Sequence, residues 1–154
     1  MSTKIRVRRV SKAADFAAIR RLDKKFFALD EPVDIPGDTF WWVAEVLQSK
    51  NRTKKWTLAG YAGLRPCRQE PNIGLGFLIR AGVCKESRGH GLQKALIRVR
   101  VAAAKRLGLK SLVTYIVPWN PASGNALIRC GFRMYRPAHR WGGSMAVYLK
   151  RDLG

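Results

Sequence analysis

The segment from Val83 to Leu96 holds the residues whose types and spacing are best suited to chemistry. Its centre is Arg88-Gly89-His90-Gly91, which follows an apolar strand pattern and precedes an amphipathic helix pattern. Two glycines let the backbone turn tightly and approach a ligand closely, because they have no Cβ. The amides of the turn and of the first helical turn then face one point, where the helix dipole favours an anion. Arg88 adds a planar fork of donors for phosphate oxygens, so the segment predicts a pyrophosphate site.

This turn differs from two common phosphate-binding loops. It has no Gly-x-x-x-x-Gly-Lys-Ser/Thr pattern, and Gly89–Lys94 lacks the third glycine of a dinucleotide fingerprint. It resembles the acyl-CoA signature of the GCN5-related N-acetyltransferases, the GNAT family. There, an Arg/Gln-x-x-Gly-x-Gly/Ala turn follows a strand ending in Val and precedes a helix. Arg88 and Gly91 match that pattern, and Gln93 replaces its last small residue.

A second motif strengthens the resemblance. Family members place a strand, then Asn-x-x-Ser/Ala, then a short helix closing on Gly-Phe, about 30 residues after the first motif. This chain has the apolar run 112–117, then Asn120-Pro121-Ala122-Ser123, and then a helical pattern ending at Gly131-Phe132. The resemblance covers roughly residues 40 to 150, and it is specific because the two motifs occur as a pair.

The resemblance implies an N-acetyltransferase that uses acetyl-CoA as acyl donor. The acetyl group would pass directly to a primary amine of a small molecule, peptide or protein while both substrates are bound. Two strands ending near Val83 and Val117 would splay apart, with acetyl-CoA in the wedge. Main-chain groups near Ala81 and Val83 would hold the pantetheine arm and the acetyl oxygen. The residues implied to contact the donor are Ala81, Val83, Arg88, Gly89, His90, Gly91, Leu92, Gln93, Asn120 and Ser123. Ser123 also has a capping explanation at the start of the short helix.

The usual catalytic acid and base of the family are missing. Many relatives carry a tyrosine acid five residues before the phenylalanine of Gly-Phe, where this chain has Leu127. One large subgroup carries a glutamate base six residues before the Val83 position, where this chain has Phe77. The substitutes we predict are Glu45, Tyr115 and Tyr135, although an aromatic on such strands is more often a core residue.

An acidic loop, residues 30–38, gives the best indication of the acceptor. Asp30, Glu31, Asp34 and Asp38 place four of the ten acidic side chains within nine residues. In an otherwise basic chain these acids would attract a cationic amine, and we predict that Asp34, Asp38 and the neighbouring Trp41 bind the acceptor. The competing interpretation is a solvated loop whose acids balance Lys24 and Lys25.

The chain is strongly basic. Thirty basic side chains and ten acidic ones give a net charge of +20, and the excess is larger in the second half. Such a field attracts polyanions and weakens in salt. It leaves open an amine carried on nucleic acid, such as aminoacyl-tRNA or a modified base. A module that binds CoA without catalysis also stays open, as does a homodimer. Four of the cations have the spacing of a solvated helix face, namely Arg98, Arg100, Lys105 and Arg106.

Chain length, apolar runs and cysteine spacing indicate the class of protein. At 154 residues the chain is long enough for a single domain over residues 1–154. No apolar run approaches the roughly 18 residues of a membrane span, and the first 25 residues lack a signal-peptide core. Three cysteines without Cys-x-x-Cys spacing argue against a disulfide framework and against a metal site, so a cytoplasmic protein is expected.

The periodicity predicts the elements that must position these residues. Strands are expected over residues 4–10, 40–47, 56–64, up to 83, 111–117, 132–135 and 144–149. Helices are expected over about 12–28, with Ser11 as cap, over 91–107, with Leu107 buried and an end at Gly108, and over 122–130. We predict an α/β (α+β) fold with a GNAT-like mixed, mostly antiparallel central sheet of six to seven strands and helices on both faces.

Overall fold

A computed structural model describes residues 3–154, which contain seven strands and three α-helices. The elements in chain order are β1 (Ile5–Arg9), α1 (Ala13–Phe26), β2 (Phe40–Lys50), β3 (Thr53–Pro66), β4 (Leu75–Val83), a 3₁₀ helix (Lys85–Ser87), α2 (Leu92–Arg106), β5 (Ser111–Ile116), α3 (Pro121–Arg129), β6 (Arg133–Met134) and β7 (Val147–Asp152). Each strand and helix expected from the periodicity is therefore present.

The strands form one sheet in the order β1-β2-β3-β4-β5-β7-β6. The pairs β1/β2, β5/β7 and β6/β7 are antiparallel, whereas β4 and β5 run parallel. This arrangement confirms the predicted mixed, mostly antiparallel sheet.

The chain divides into two compact units. The first comprises the residues up to Gly63 together with Arg80–Leu96, and the second comprises Leu64–Ile79 together with Ile97–Gly154. Because the boundaries fall inside β3, β4 and α2, each of these elements contributes to both units. The single domain expected from chain length therefore stays a prediction.

The first unit is built on β1 and β2. Their register runs from Ile5–Val46 to Arg9–Trp42. Six consecutive β2 residues, Trp41–Val46, are buried, which is the pattern of a strand covered on both faces. On α1, the Ile19 side chain is fully buried.

The second unit is built on β5 and β7. Six residue pairs join them, from Ser111–Asp152 to Ile116–Val147, and three pairs join β4 to β5, from Leu75–Ser111 to Phe77–Val113. One residue beyond that parallel ladder, the Thr114 hydroxyl donates to the Leu78 carbonyl over 3.0 Å. A side chain thus makes a bond here that a regular ladder makes with a backbone amide.

Four local predictions need correction. Lys12 rather than Ser11 precedes α1 as its cap residue, and no side chain caps that end. Arg100 is 2% exposed instead of solvated, while Leu107 is 48% exposed because it lies beyond the last turn of α2. The final strand starts at Val147 rather than at residue 144, because pairing with β5 sets its register.

None of the helices within residues 3–154 combines the length and apolarity needed to cross a membrane.

Candidate functional site

The turn between β4 and α2 is held in a fixed path by backbone hydrogen bonds. The Cys84 amide donates to the Ala59 carbonyl on β3 over 2.7 Å, and the Ser87 amide donates to the Cys84 carbonyl over 2.9 Å. The chain then passes through Gly89 and Gly91, whose φ values are +87° and +80°. L residues rarely adopt this left-handed region, so both positions favour glycine for its conformation.

Open space surrounds both glycines. A Cβ built on Gly89 or Gly91 would have no heavy atom within 4 Å. The Gly91 carbonyl accepts from the Ala95 amide over 3.0 Å, so the helical hydrogen bonds begin here and the first amides of α2 have no intrahelical acceptor. A helix N-terminus with open space in front of its free amides favours an anion.

The predicted donor-contacting side chains of this turn have different exposures. Arg88 and His90 are exposed, whereas Leu92 is 2% exposed and anchors the start of α2. Gln93, the departure from the motif, is half-buried. The first unit therefore brings the predicted turn residues together around one open surface.

The end of β4 leading into this turn is closely packed. Ala81 and Val83 are half-buried. Gly82 lies between them, and a Cβ there would collide with the Phe26 ring of α1. A Cβ on Gly60 of β3 would stand 2.7 Å from the Gly82 carbonyl oxygen. Here glycine is required for lack of space rather than for its φ angle.

A buried polar cluster adjoins this strand end and was missed by the sequence analysis. The Tyr61 hydroxyl donates to the Asp23 carboxylate over 2.6 Å, and Arg80 Nε lies 3.4 Å from the same oxygen. Burial, together with the bond to Asp23, raises the pKa of Tyr61 well above its usual range. An arginine inside the apolar run Leu78–Val83 was the sequence signal for this cluster, because a buried guanidinium needs partners.

The acidic loop presents two of its carboxylates to solvent. Asp34 and Asp38 are exposed, and neither forms an ion pair with another residue of the described chain. Ile35 between them is buried, and its carbonyl accepts from Arg20 on α1. The loop is therefore attached to α1 while these two carboxylates stay exposed.

Trp41 is a core residue, which contradicts its predicted role in binding the acceptor. Its side chain is 1% exposed, its indole N–H donates to the Pro36 carbonyl over 2.9 Å, and its ring centroid lies 6.3 Å from that of Tyr61. A ring this fully covered has no face left for a ligand.

Glu45 is a poor general base. One oxygen of its carboxylate accepts from Arg6 Nε over 2.9 Å and from Arg8 Nε over 2.8 Å. Burial alone would raise the pKa of Glu45, but the hydrogen bonds from Arg8 and Arg6 outweigh burial, and the net shift lowers the pKa. A carboxylate stabilised in its charged form accepts a proton less readily, so the prediction for Glu45 is corrected to an ion-pair role.

The other two predicted catalytic residues lie in an aromatic cluster of the second unit. The ring of Tyr148, which the sequence analysis did not single out, lies 6.2 Å from Tyr115 and 6.3 Å from Tyr135, measured between centroids. Tyr115 is 44% exposed. Burial raises the pKa of Tyr135, against a hydrogen bond with Trp141 that lowers it.

The loop before β7 folds onto this aromatic cluster. The Tyr148 hydroxyl accepts from the Gly142 amide over 2.8 Å and donates to the Gly143 carbonyl over 3.1 Å. Trp141 lies 5.2 Å from Tyr115 and 5.3 Å from Phe77, both edge to face. Phe77, at the position of the missing base, is thus part of an aromatic contact, and Leu127, at the position of the missing acid, is 4% exposed.

Asn120 and Ser123 lie together at the start of α3. The Asn120 side chain accepts from the Ser123 amide over 3.4 Å, which makes Asn120 the cap of this helix. The capping explanation therefore applies to this pair, and their predicted contact with the donor stays a prediction.

Comparisons with known sequences bear on the family of the chain. A sequence profile described as "Acetyltransferase (GNAT) domain" matches residues 6–133. A search of curated protein sequences gives no significant match.

Several solved structures share the fold at low sequence identity. Arabidopsis thaliana NAA60 in complex with acetyl-CoA is 17% identical, with a TM-score of 0.75 and coverage of 97% of this chain and 99% of that chain. The putative acetyltransferase yncA from Salmonella typhimurium, solved with acetyl-CoA, is 18% identical, with a TM-score of 0.73 and coverages of 97% and 94%. A GCN5-related N-acetyltransferase from Kribbella flavida is 20% identical, with a TM-score of 0.72 and coverages of 97% and 98%.

Proposed function

The chain belongs to the GNAT acetyltransferases, and from this we propose that it transfers the acetyl group of acetyl-CoA to a primary amine in a ternary complex. The observation that carries the proposal is the turn at Gly89 and Gly91. Its two left-handed glycines, the open space around them and the N-terminus of α2 together suit the pyrophosphate of CoA. Arg88 and His90 would contact its phosphates.

The reaction we propose needs no acyl-enzyme. The amine nitrogen attacks the thioester carbonyl, the carbon–nitrogen bond forms, the carbon–sulfur bond breaks, and the amine loses a proton. An alkyl amine is mostly protonated at neutral pH, so its proton must pass to a group of the protein or to water before attack. We assign proton donation to the leaving thiolate to Tyr135 or Tyr115, because a phenol O–H is a hydrogen-bond and proton donor.

The acceptor we propose is cationic before reaction. Asp34 and Asp38 are exposed, and in a chain of net charge +20 they offer a local attraction for an ammonium group. We also propose a cytoplasmic location, because three cysteines without Cys-x-x-Cys spacing favour a reducing compartment.

A titration of acetyl-CoA at about 150 mM salt, where surface charges are largely screened, tests the donor site. We expect saturable micromolar binding that Arg88→Ala weakens about tenfold, since a charged phosphate contact is lost. Arg98→Ala is the matched control, because Arg98 is an exposed arginine of α2 outside the turn. Equal binding of a polyanion that lacks CoA, or equal loss in both variants, would refute the donor site. Thioester turnover with a panel of amines then tests catalysis and identifies the acceptor class.

One observation favours a second candidate, an amine carried on nucleic acid. Residues 48–55 are all exposed and form the tip of the β2–β3 hairpin, with Asn51 and Arg52 at positive φ. The tip carries Lys50, Arg52, Lys54 and Lys55, and no acidic residue occurs between Glu45 and Glu70. A two-stranded ribbon fits a nucleic-acid groove, and the four cations would contact phosphates.

Salt dependence separates the two candidates. Changing the four hairpin cations to Gln would lower the slope of log K against log salt by about 3 to 4 for duplex nucleic acid, at about 0.9 per phosphate contact. Lys105→Gln with Arg106→Gln, two exposed cations at the end of α2, is the control. Unchanged slopes in the hairpin variant would leave the free-amine acceptor as the function.

A further inference from the structure

Arg80 ties three segments of the first unit together. Besides the contact of its Nε with Asp23 on α1, its Nη1 donates to the Asp30 carboxylate over 3.1 Å. Its Nη2 donates to the backbone carbonyl of Glu31, and its guanidinium carbon lies 4.5 Å from the centre of the Phe27 ring. One side chain on β4 therefore holds the end of α1 and both residues with which the acidic loop begins.

The backbone of Arg80 is itself unusual. Its φ is +39° in the middle of β4, in a region that residues other than glycine rarely adopt. Such a conformation is retained where surrounding contacts hold it in place. It also changes the direction in which the backbone groups that follow it in the strand point. The side chain is 12% exposed and has the contacts to supply that constraint. The next residue is Ala81, near which the family resemblance implies main-chain contacts to the pantetheine arm and the acetyl oxygen.

We propose that Arg80 is a positioning residue for the acceptor amine, an inference that rests on the proposed function. Its guanidinium fixes the acidic loop against β4 and fixes the backbone immediately before Ala81, so that the loop carboxylates and the acetyl carbonyl keep one relative arrangement. Arg80 itself is held by Asp23, Asp30 and Glu31 and takes no part in bond making.

The turn at residues 88–91, which we call the donor turn because we propose that acetyl-CoA binds there, has its own anchors. Binding of acetyl-CoA and positioning of the amine are therefore separable. The Cys84–Ala59 and Ser87–Cys84 backbone bonds and the buried Leu92 hold the turn, and the Arg80 side chain takes part in neither bond. Losing Arg80 should therefore affect the amine and spare most of the affinity for acetyl-CoA.

Three variants test this role. Arg80→Gly removes the tether but permits the positive φ, Arg80→Lys keeps a cation without the fork of donors, and Asp30→Asn removes the exposed partner without touching β4. Arg9→Ala is the matched control, because Arg9 also stacks on a phenylalanine, Phe40, at 4.4 Å but has no ion pair within the described chain.

The first readouts are kinetic. We expect KM for the amine to rise about tenfold or more in Arg80→Gly, by less in Asp30→Asn, and by less than about twofold in Arg9→Ala. The dissociation constant of acetyl-CoA should stay within about threefold of wild type in all four. Added methylguanidinium should restore part of the amine KM in Arg80→Gly and have no effect on the control.

Hydrogen exchange supplies a readout that needs no activity. Amides of residues 30–38 should exchange about tenfold faster in Arg80→Gly and Asp30→Asn, while those of α2 keep their wild-type rates. Unchanged exchange in the loop, or a loss that falls on acetyl-CoA affinity with the amine KM intact, would overturn the positioning role. Wild-type protein that fails to bind acetyl-CoA would instead refute the proposed function, and the exchange result would still report on the tether.

Discussion

Gly91→Ala separates the conformational role of the turn from its role in binding. The φ of Gly91 is +80°, and a Cβ would meet no atom within 4 Å, so the substitution adds backbone strain without a steric clash. An L residue in the left-handed region costs about 1–2 kcal/mol, which shifts Tm by about 2–8 °C for a domain of this size. The added methyl group would also stand in the open space that the proposed pyrophosphate occupies.

Gly108→Ala is a closely matched control for this change. Gly108 follows α2, has a φ of +75°, and likewise has no atom within 4 Å of a built Cβ. The two variants should lose similar stability, because their backbone conformations and free space are alike. Only Gly91→Ala should lose acetyl-CoA affinity, by about tenfold or more, since only its methyl group enters the anion site.

Calorimetric titration of acetyl-CoA and thermal unfolding of both variants and of the wild type give the affinities and stabilities needed. Equal affinities in the two variants would refute the assignment of the turn as the donor site. A Gly91→Ala protein as stable as wild type would show that the positive φ imposes no cost, and the conformational argument would then be wrong.

Three further predictions follow from single contacts, two on stability and one on aromatic packing. Glu45→Gln should lose more stability at pH 7 than at pH 3. The pKa of Glu45 in the folded protein lies below its ordinary 4.5, so its ion pair stabilises the fold above that pH, and this stabilisation is lost as the pH falls. Denaturant titration at both pH values checks this. Tyr61→Phe should lower the free energy of unfolding in urea by about 1–3 kcal/mol, because a buried oxygen of Asp23 loses a 2.6 Å hydrogen bond. A loss as small as that of a substitution at an exposed position would contradict the role of the buried cluster. Gly142→Ala should disturb the aromatic cluster, because its Cβ would stand 2.6 Å from the Tyr115 ring; a shift in Trp141 emission, absent in Gly143→Ala, would show this.

The second half of the chain shows which structural features can be predicted from local sequence pattern and which cannot. The helix after the donor turn, its end at Gly108 and the strand over residues 111–116 were all predicted, because periodicity and glycine placement are local properties. The exposures of Arg100 and Leu107 were wrong, because helical spacing says which residues share a face but not which face is covered. Pairing with β5 likewise moved the last strand three residues along the chain.

By itself, the sequence determined the turn at Gly89 and Gly91, between β4 and α2. Two glycines between a strand and a helix, preceded by an arginine, require a tight turn at a helix N-terminus, and every group involved lies within a few residues. Only the tertiary structure decided which titratable groups are free. Glu45 accepts hydrogen bonds from Arg6 and Arg8, which precede it in sequence by 39 and 37 residues. Arg80 forms ion pairs with acidic residues that lie 50 or more residues earlier in the chain. The pKa and reach of a side chain depend on partners that only the folded chain brings within a few ångströms, and sequence spacing carries no record of them.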